Sequence, residues 1–228
     1  MPLDKKRQYY DQDHVSLESL PTWPQFAEKE SLTTTDQPKV RVDDEINSKV
    51  SLFEGDITTL EIDAIVNAAN CSLFSGGGVC GAIFRAARGK LEDECDSLNG
   101  CPAGQAKLTG GYKLPAKYII HAVGPQDKDP VVLKNCYINC LDHMLQTEGS
   151  PDLRSLAFPC IATGIYGFPN EKAAEIAIST CREFLDKNKD QVDRIIFCLF
   201  DKIDKKLYRK FMQIYFPLKS PEETTNDQ

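Results

Sequence analysis

The sequence predicts an α/β domain whose sheet is covered on both faces by helices, and three observations predict it. Short apolar runs rich in β-branched residues alternate with longer stretches of helical period. Two of those runs end in glycine-bearing loops that lead straight into helices. Finally, 41% of the 228 residues are hydrophobic, ample for the core of one domain of ordinary size. Continuous apolar strands, as opposed to alternating ones, mark a sheet buried on both sides.

Residues 50–53 and 64–66 read as short strands, each followed by small and polar residues. Residues 79–91 read as a helix, because Ile83, Ala86, Ala87 and Leu91 recur at helical steps along one side. The run Tyr118-Ile119-Ile120-His121-Ala122-Val123 is a strong strand signal, stopped by Gly124-Pro125. Residues 131–145 read as a helix and 156–161 as a buried strand. Residues 170–185 follow as an amphipathic helix with Asn170 as its expected N-cap. Residues 194–200 form another buried strand, and 205–215 close the set as a helix. The domain is expected over 46–217. Residues 1–45 form a polar, irregular leader containing Lys5-Lys6-Arg7 and Thr33-Thr34-Thr35. Its Leu17, Leu20, Trp23 and Phe26 are the candidates to dock a short helix, although a solvated leader with a few anchors is the expected form. Residues 218–228 read as a disordered tail.

Charge restricts the function. Lys and Arg number 27 and Asp and Glu 34, for a formal net charge of −7. Nucleic-acid binding leaves a basic footprint, since phosphate contacts drive affinity by releasing counterions, so no nucleic-acid partner is expected. An acidic protein that binds an anionic ligand needs donors aimed locally at it. No apolar stretch approaches the roughly 20 residues that span a bilayer, so no membrane partner is expected. Nine cysteines with no C-x-x-C pair and no secretory signal argue for reduced thiols in an intracellular compartment, cytoplasmic or nuclear. Three histidines, none at ligand spacing to the cysteines, argue against a metal site. A monomer is expected.

Two loops carry the chemistry. The first, residues 67–79, holds Asn67, Asn70 and the run Gly76-Gly77-Gly78-Val79 between a strand and a helix. Glycines let backbone approach a ligand closely, and a helix start beyond them presents unpaired N–H groups and the positive end of a dipole. Asn67 and Asn70 add amides that both donate and accept, suited to sugar hydroxyls. The loop is neither a Walker loop nor a G-x-G-x-x-G turn. The second loop, residues 162–170, holds Thr163, Gly164, Ile165, Tyr166, Gly167 and Phe168 and again leads into a helix. Its aromatics offer faces for a sugar or a base, or else simply belong to the core. Asp56, in Gly55-Asp56-Ile57 after the first strand, is either an acceptor for an adenine amino group or a turn former.

These residues resemble the macrodomain family, and within it the MacroD branch. The likeness rests on Gly55-Asp56-Ile57, Asp63-Ala64-Ile65-Val66-Asn67-Ala68-Ala69-Asn70, the Gly76 to Gly78 run and Thr163-Gly164-Ile165-Tyr166-Gly167-Phe168-Pro169. Leu114-Pro115-Ala116-Lys117-Tyr118-Ile119-Ile120-His121 strengthens it, as does Asn99-Gly100-Cys101 ahead of Ala106-Lys107-Leu108-Thr109. The resemblance covers about residues 46–217. It implies a three-layer α/β/α fold with a mixed, mostly parallel sheet of about six strands. It also implies that Asp56 holds the adenine amino group with Ile57 beside the ring and Phe200 nearby. Residues 76–79 and 163–166 would wrap the diphosphate of ADP-ribose through backbone N–H groups, and Asn70 and Phe168 would flank the distal ribose.

Members of this branch cleave ADP-ribose from modified Asp or Glu side chains and deacetylate O-acetyl-ADP-ribose, without metal or other cofactor. Their usual pattern after the glycines is Val-Asp-Gly, with a His four residues beyond the Asp. Here Cys80 stands in place of the Asp and Phe84 in place of the His. The Asp is thought to activate the attacking water together with the residue matching Asn70, so Asn70 and Cys80 are the catalytic candidates. Three readings follow: a hydrolase slowed by these two changes, a non-catalytic reader of mono-ADP-ribosylated proteins, or an interaction module with vestigial loops.

Overall fold

The computed structural model describes residues 3–10, 13–32, 37–145 and 148–219. Within them runs a six-stranded sheet of order β2-β8-β7-β4-β6-β5. Its strands are β2 (Val50–Phe53), β4 (Ala64–Ala69), β5 (Ala106–Gly110), β6 (Tyr118–Val123), β7 (Ser155–Phe158) and β8 (Arg194–Cys198). All are parallel except β5, which pairs antiparallel with β6 at one edge. A separate two-residue ladder joins β1 (Val15–Ser16) to β3 (Leu60–Glu61).

Helices cover both faces, because successive side chains on a strand point to opposite sides. Ile65, Ile119, Ala157 and Ile196 pack in one cluster with residues of α4 (Gly78–Ala87) and α5 (Lys90–Ser97). Their neighbours Val66, Ile120, Leu156, Phe158, Ile195 and Phe197 pack in the other. That second cluster includes α6 (Pro130–Asp142), α7 (Asn170–Asn188) and α8 (Lys202–Tyr215). The fold is thus a three-layer α/β/α sandwich with a mixed, mostly parallel sheet.

The leader folds against this sandwich. Within α1 (Leu3–Arg7), the Lys6 ammonium is buried and donates to the carbonyls of Pro115 and Ala116, at 3.1 and 2.5 Å. Leu20 joins the α4–α5 cluster, whereas α2 (Trp23–Lys29) buries Trp23, Phe26 and Ala27 in the cluster opposite. Between them Pro21 O accepts from the Ser51 hydroxyl of β2 at 2.7 Å. The leader therefore passes around the β2 edge from one face to the other. Trp23 is fully buried, and its indole N–H donates to Phe216 O at 2.8 Å. The short α3 (Asp44–Ser48), capped by Asp43, then feeds β2. The run Thr33-Thr34-Thr35 and residues 220–228 lie outside the described residues. No helix among the described residues is long and apolar enough to cross a membrane.

Several local expectations change. The helix expected over 79–91 stops at Ala87, because Arg88 and Gly89 take φ of 59° and 20°, and the chain restarts as α5. Asn170 is the first residue of α7 and Pro169 its N-cap; the Asn170 amide instead donates to Asp204 at 2.8 Å, tying α7 to α8. Strand β5 carries Lys107 and Thr109 among small residues, and its edge position removes the need for an apolar run.

Candidate functional site

Strand β4 continues through α4 and α5 toward β5 and β6, whereas its sheet neighbour β7 continues through α7 to β8 on the other side. The chain therefore leaves β4 and β7 in opposite directions. In open parallel sheets this divergence opens a crevice at the carboxyl ends of the strands, where ligands sit. Both glycine loops lie there.

The loop after β4 is braced by one side chain. Asn70 Oδ1 accepts from the backbone N–H of Ser72 and Phe74 at 3.1 and 3.2 Å, and its Nδ2 donates to Phe74 O at 2.7 Å. Asn70 thus shapes the loop, spending its amide on backbone. Gly76, Gly77 and Gly78 are exposed, and Gly78 takes φ of 60°, which any other residue adopts only under strain. Gly77 is the N-cap of the ten-residue α4 and offers no side chain to its first-turn N–H groups. The dipole of α4 is left uncapped at the crevice, beside the half-buried Val79.

The loop after β7 faces it. Gly164 and Gly167 have open space where a Cβ would stand. Thr163 donates its hydroxyl to Cys160 O at 3.1 Å. Ile165 is 82% exposed, and its Cδ1 lies 3.2 Å from where a Cβ on Gly77 would be, so the two loops meet across the crevice. Phe168 is only 1% exposed and Tyr166 half-buried against the same core, so these aromatics support the loop from beneath. Beyond β8, Phe200 is 87% exposed.

Asp56 follows β2 and does the turn former's work with one oxygen. Its Oδ1 accepts from the Thr58 N–H and hydroxyl, both at 2.9 Å, while the residue remains exposed. Ile57 is buried in the α4–α5 cluster. Beside Asp56, a cavity of about 310 Å³ is lined by Thr58, Ala82, Arg85, Arg88 and Lys113, which gather positive charge in an acidic protein. Burial, and then the charge of Asp56, push the Cys198 thiol up to about 12.

Three expected residues lie below the crevice floor. Asn67 is 0% exposed, since strand alternation turns it under α4. Its Nδ2 donates to His121 Nδ1 at 3.0 Å and to Cys80 Sγ at 3.7 Å, so it meets no sugar hydroxyl. His121 also meets Thr109 Oγ1 at 2.9 Å, and burial lowers its pKa to about 4, leaving it neutral. Cys80 is 4% exposed, with its thiol aimed at Phe74 O 3.6 Å away. Phe84 sets its ring edge-on to His121, centroids 6.2 Å apart. Neither position 80 nor position 84 thus carries a carboxylate or imidazole base.

Gly81, the glycine of the Val-Asp-Gly pattern, was given no role from the sequence. A Cβ there would stand 2.4 Å from Gly76 O, so the second turn of α4 packs directly beneath the glycine loop. A glycine inside a helical stretch, three residues past the glycine run, was the available signal. Phe74, 59% exposed on the same loop, gave none.

Fold and crevice define a class: an α/β/α module whose open end is formed by two glycine loops and an uncapped helix start. Comparisons place it more closely. The model of the Macro domain family matches residues 66–177. The bovine ADP-ribose glycohydrolase MACROD1 is 48% identical over 223 residues, covering 94% of this chain and 67% of that protein. Mouse ADP-ribose glycohydrolase MACROD2 is 47% identical over 99% of this chain, which spans 48% of its length. The crystal structure of the Trypanosoma brucei macrodomain in complex with ADP-ribose superposes with a TM-score of 0.76 at 34% identity, covering 92% of this chain and 86% of that one. The chain belongs to the macro domain family.

Proposed function

We propose that the protein binds ADP-ribose in this crevice and releases it from modified Asp or Glu side chains or from O-acetyl-ADP-ribose. The observation that carries the reading is the meeting of the two glycine loops over the uncapped start of α4. There, backbone N–H groups of residues 76–79 and 163–166 would hold one diphosphate. Oriented amides hold an anion without net positive charge, which suits a protein of charge −7. The free oxygen of Asp56 takes the adenine amino group, Phe200 lies against the base, and Asn70 fixes the loop at the distal ribose. The relatives' names as ADP-ribose glycohydrolases and the ADP-ribose complex of the trypanosome domain support both binding and hydrolysis.

Hydrolysis here is slow. Water attacks the anomeric carbon, the bond to the acceptor oxygen breaks, and the acceptor carboxylate leaves. The proton of that water passes to a ligand phosphate oxygen, because Cys80 is buried against Phe74 O and Phe84 carries no base. Lacking a positioned general base costs about 10²- to 10⁴-fold. The same two positions favour a second reading, a reader that binds ADP-ribosylated proteins without turnover.

Calorimetry with ADP-ribose, followed by single-turnover release from a mono-ADP-ribosylated acceptor at enzyme excess, tests both. Binding with release above buffer is the expected result, with a gain of at least about tenfold in Cys80→Asp/Phe84→His. Binding without release leaves the reader, and absent binding removes both.

A further inference from the structure

The outer face of α8 gathers five cations in this acidic chain. A groove of about 370 Å³ is lined by Lys202, Lys205, Lys206, Arg209, Lys210 and Gln213. Three of its five cations are matched by acids. Lys205 and Arg209 share Glu54, each at 2.9 Å; Arg209 also reaches Glu30 at 3.2 Å, and Lys210 reaches Glu171 at 2.7 Å. Lys202 and Lys206 are exposed and form no ion pair with any described residue. They stand one helical turn apart, with Cβ atoms about 6 Å from each other. Of the nearby acids, Asp204 is buried and held by Asn170, and Asp201 is exposed just before the helix.

The groove also adjoins the crevice. Glu54, the acid that orders Lys205 and Arg209, lies two residues from Asp56, and Lys202 lies two residues beyond Phe200. On the reading proposed above, adenine sits between Asp56 and Phe200, so the adenosine end of the ligand lies beside the first turn of α8. We infer that this groove is a phosphate subsite for ADP-ribose ligands extended at the adenosine sugar by a further phosphate-bearing group. Two unmatched cations one turn apart suit one or two phosphates. They are too few for the long basic track that a nucleic acid needs.

Titration calorimetry with ADP-ribose, ADP-ribose 2′-phosphate and a dimer of ADP-ribose joined through the adenosine 2′-hydroxyl tests this. At about 50 mM salt at least one extended ligand is expected to bind about tenfold tighter than ADP-ribose. The gain should shrink by about 200 mM, since each phosphate contacted contributes a log–log salt slope of about −0.7. A gain for the 2′-phosphate alone identifies a monoester site, and a gain for the dimer identifies a chain-binding site. Lys202→Glu/Lys206→Glu should abolish the gain and leave ADP-ribose affinity within about twofold, as expected for residues outside the crevice. Equal affinity for all three ligands, a gain that survives the double variant, or equal displacement by poly-glutamate overturns the inference. If ADP-ribose itself fails to bind, the crevice reading falls first.

Discussion

At Gly81 a missing Cβ decides whether the phosphate loop keeps its shape. A methyl group there would meet Gly76 O at 2.4 Å, and that contact is backbone, so the loop has to move. Gly81→Ala is therefore expected to lower ADP-ribose affinity by about tenfold or more, while helix propensity at the same site rises by about 1 kcal/mol. Calorimetry beside a thermal melt separates the two: unchanged affinity would refute the close-packing account. Residues of this kind divide by how far they were legible. Gly76 to Gly78 announce themselves as consecutive glycines before a helix. Asn67 does not, because an asparagine at a strand's end looks the same whether it faces sugar or His121, and the strand's alternation decides. Asp56 was left between two roles, and its two carboxylate oxygens allow both, one of them spent on Thr58.

Among elements, those with long apolar runs were readable: β6 spans the residues expected of it, and α7 and α8 differ only at their ends. Edge elements were not. Strand β5 has a neighbour on one side only, so weak patterning suffices, and α2 presents three buried side chains within a leader of polar composition. The burial of Trp23 gives that helix a measurable weight. Its ring stacks on Phe26 at 6.2 Å and its N–H is satisfied by Phe216 O. Truncation to alanine removes both contacts and leaves a cavity, so Trp23→Ala should cost about 3–5 kcal/mol in urea unfolding. A cost below about 1 kcal/mol would show that the leader contributes little to the domain.

For the molecule as a whole, the buried polar chain from Cys80 through Asn67 to His121 makes stability depend on acid. Folded His121 resists protonation until about pH 4, against 6.5 when exposed. Between those values the unfolded chain takes up a proton that the folded one refuses, so stability falls as pH falls, by up to about 3 kcal/mol. His143, also held low by burial, acts in the same direction. Unfolding free energies of the wild type and His121→Gln at pH 7 and pH 4.5 isolate the contribution, as the other titrating groups are common to both. Parallel pH dependences would show that His121 is not responsible.

The touch between Ile165 and Gly77 has a kinetic side. On the proposed reading, the diphosphate reaches the amides only after the isoleucine swings aside, so it enters through a gate. Shortening that side chain in Ile165→Ala should speed association and dissociation together in stopped flow, with the equilibrium constant little moved; an association rate unchanged by the substitution would mean that the doorway already stands open.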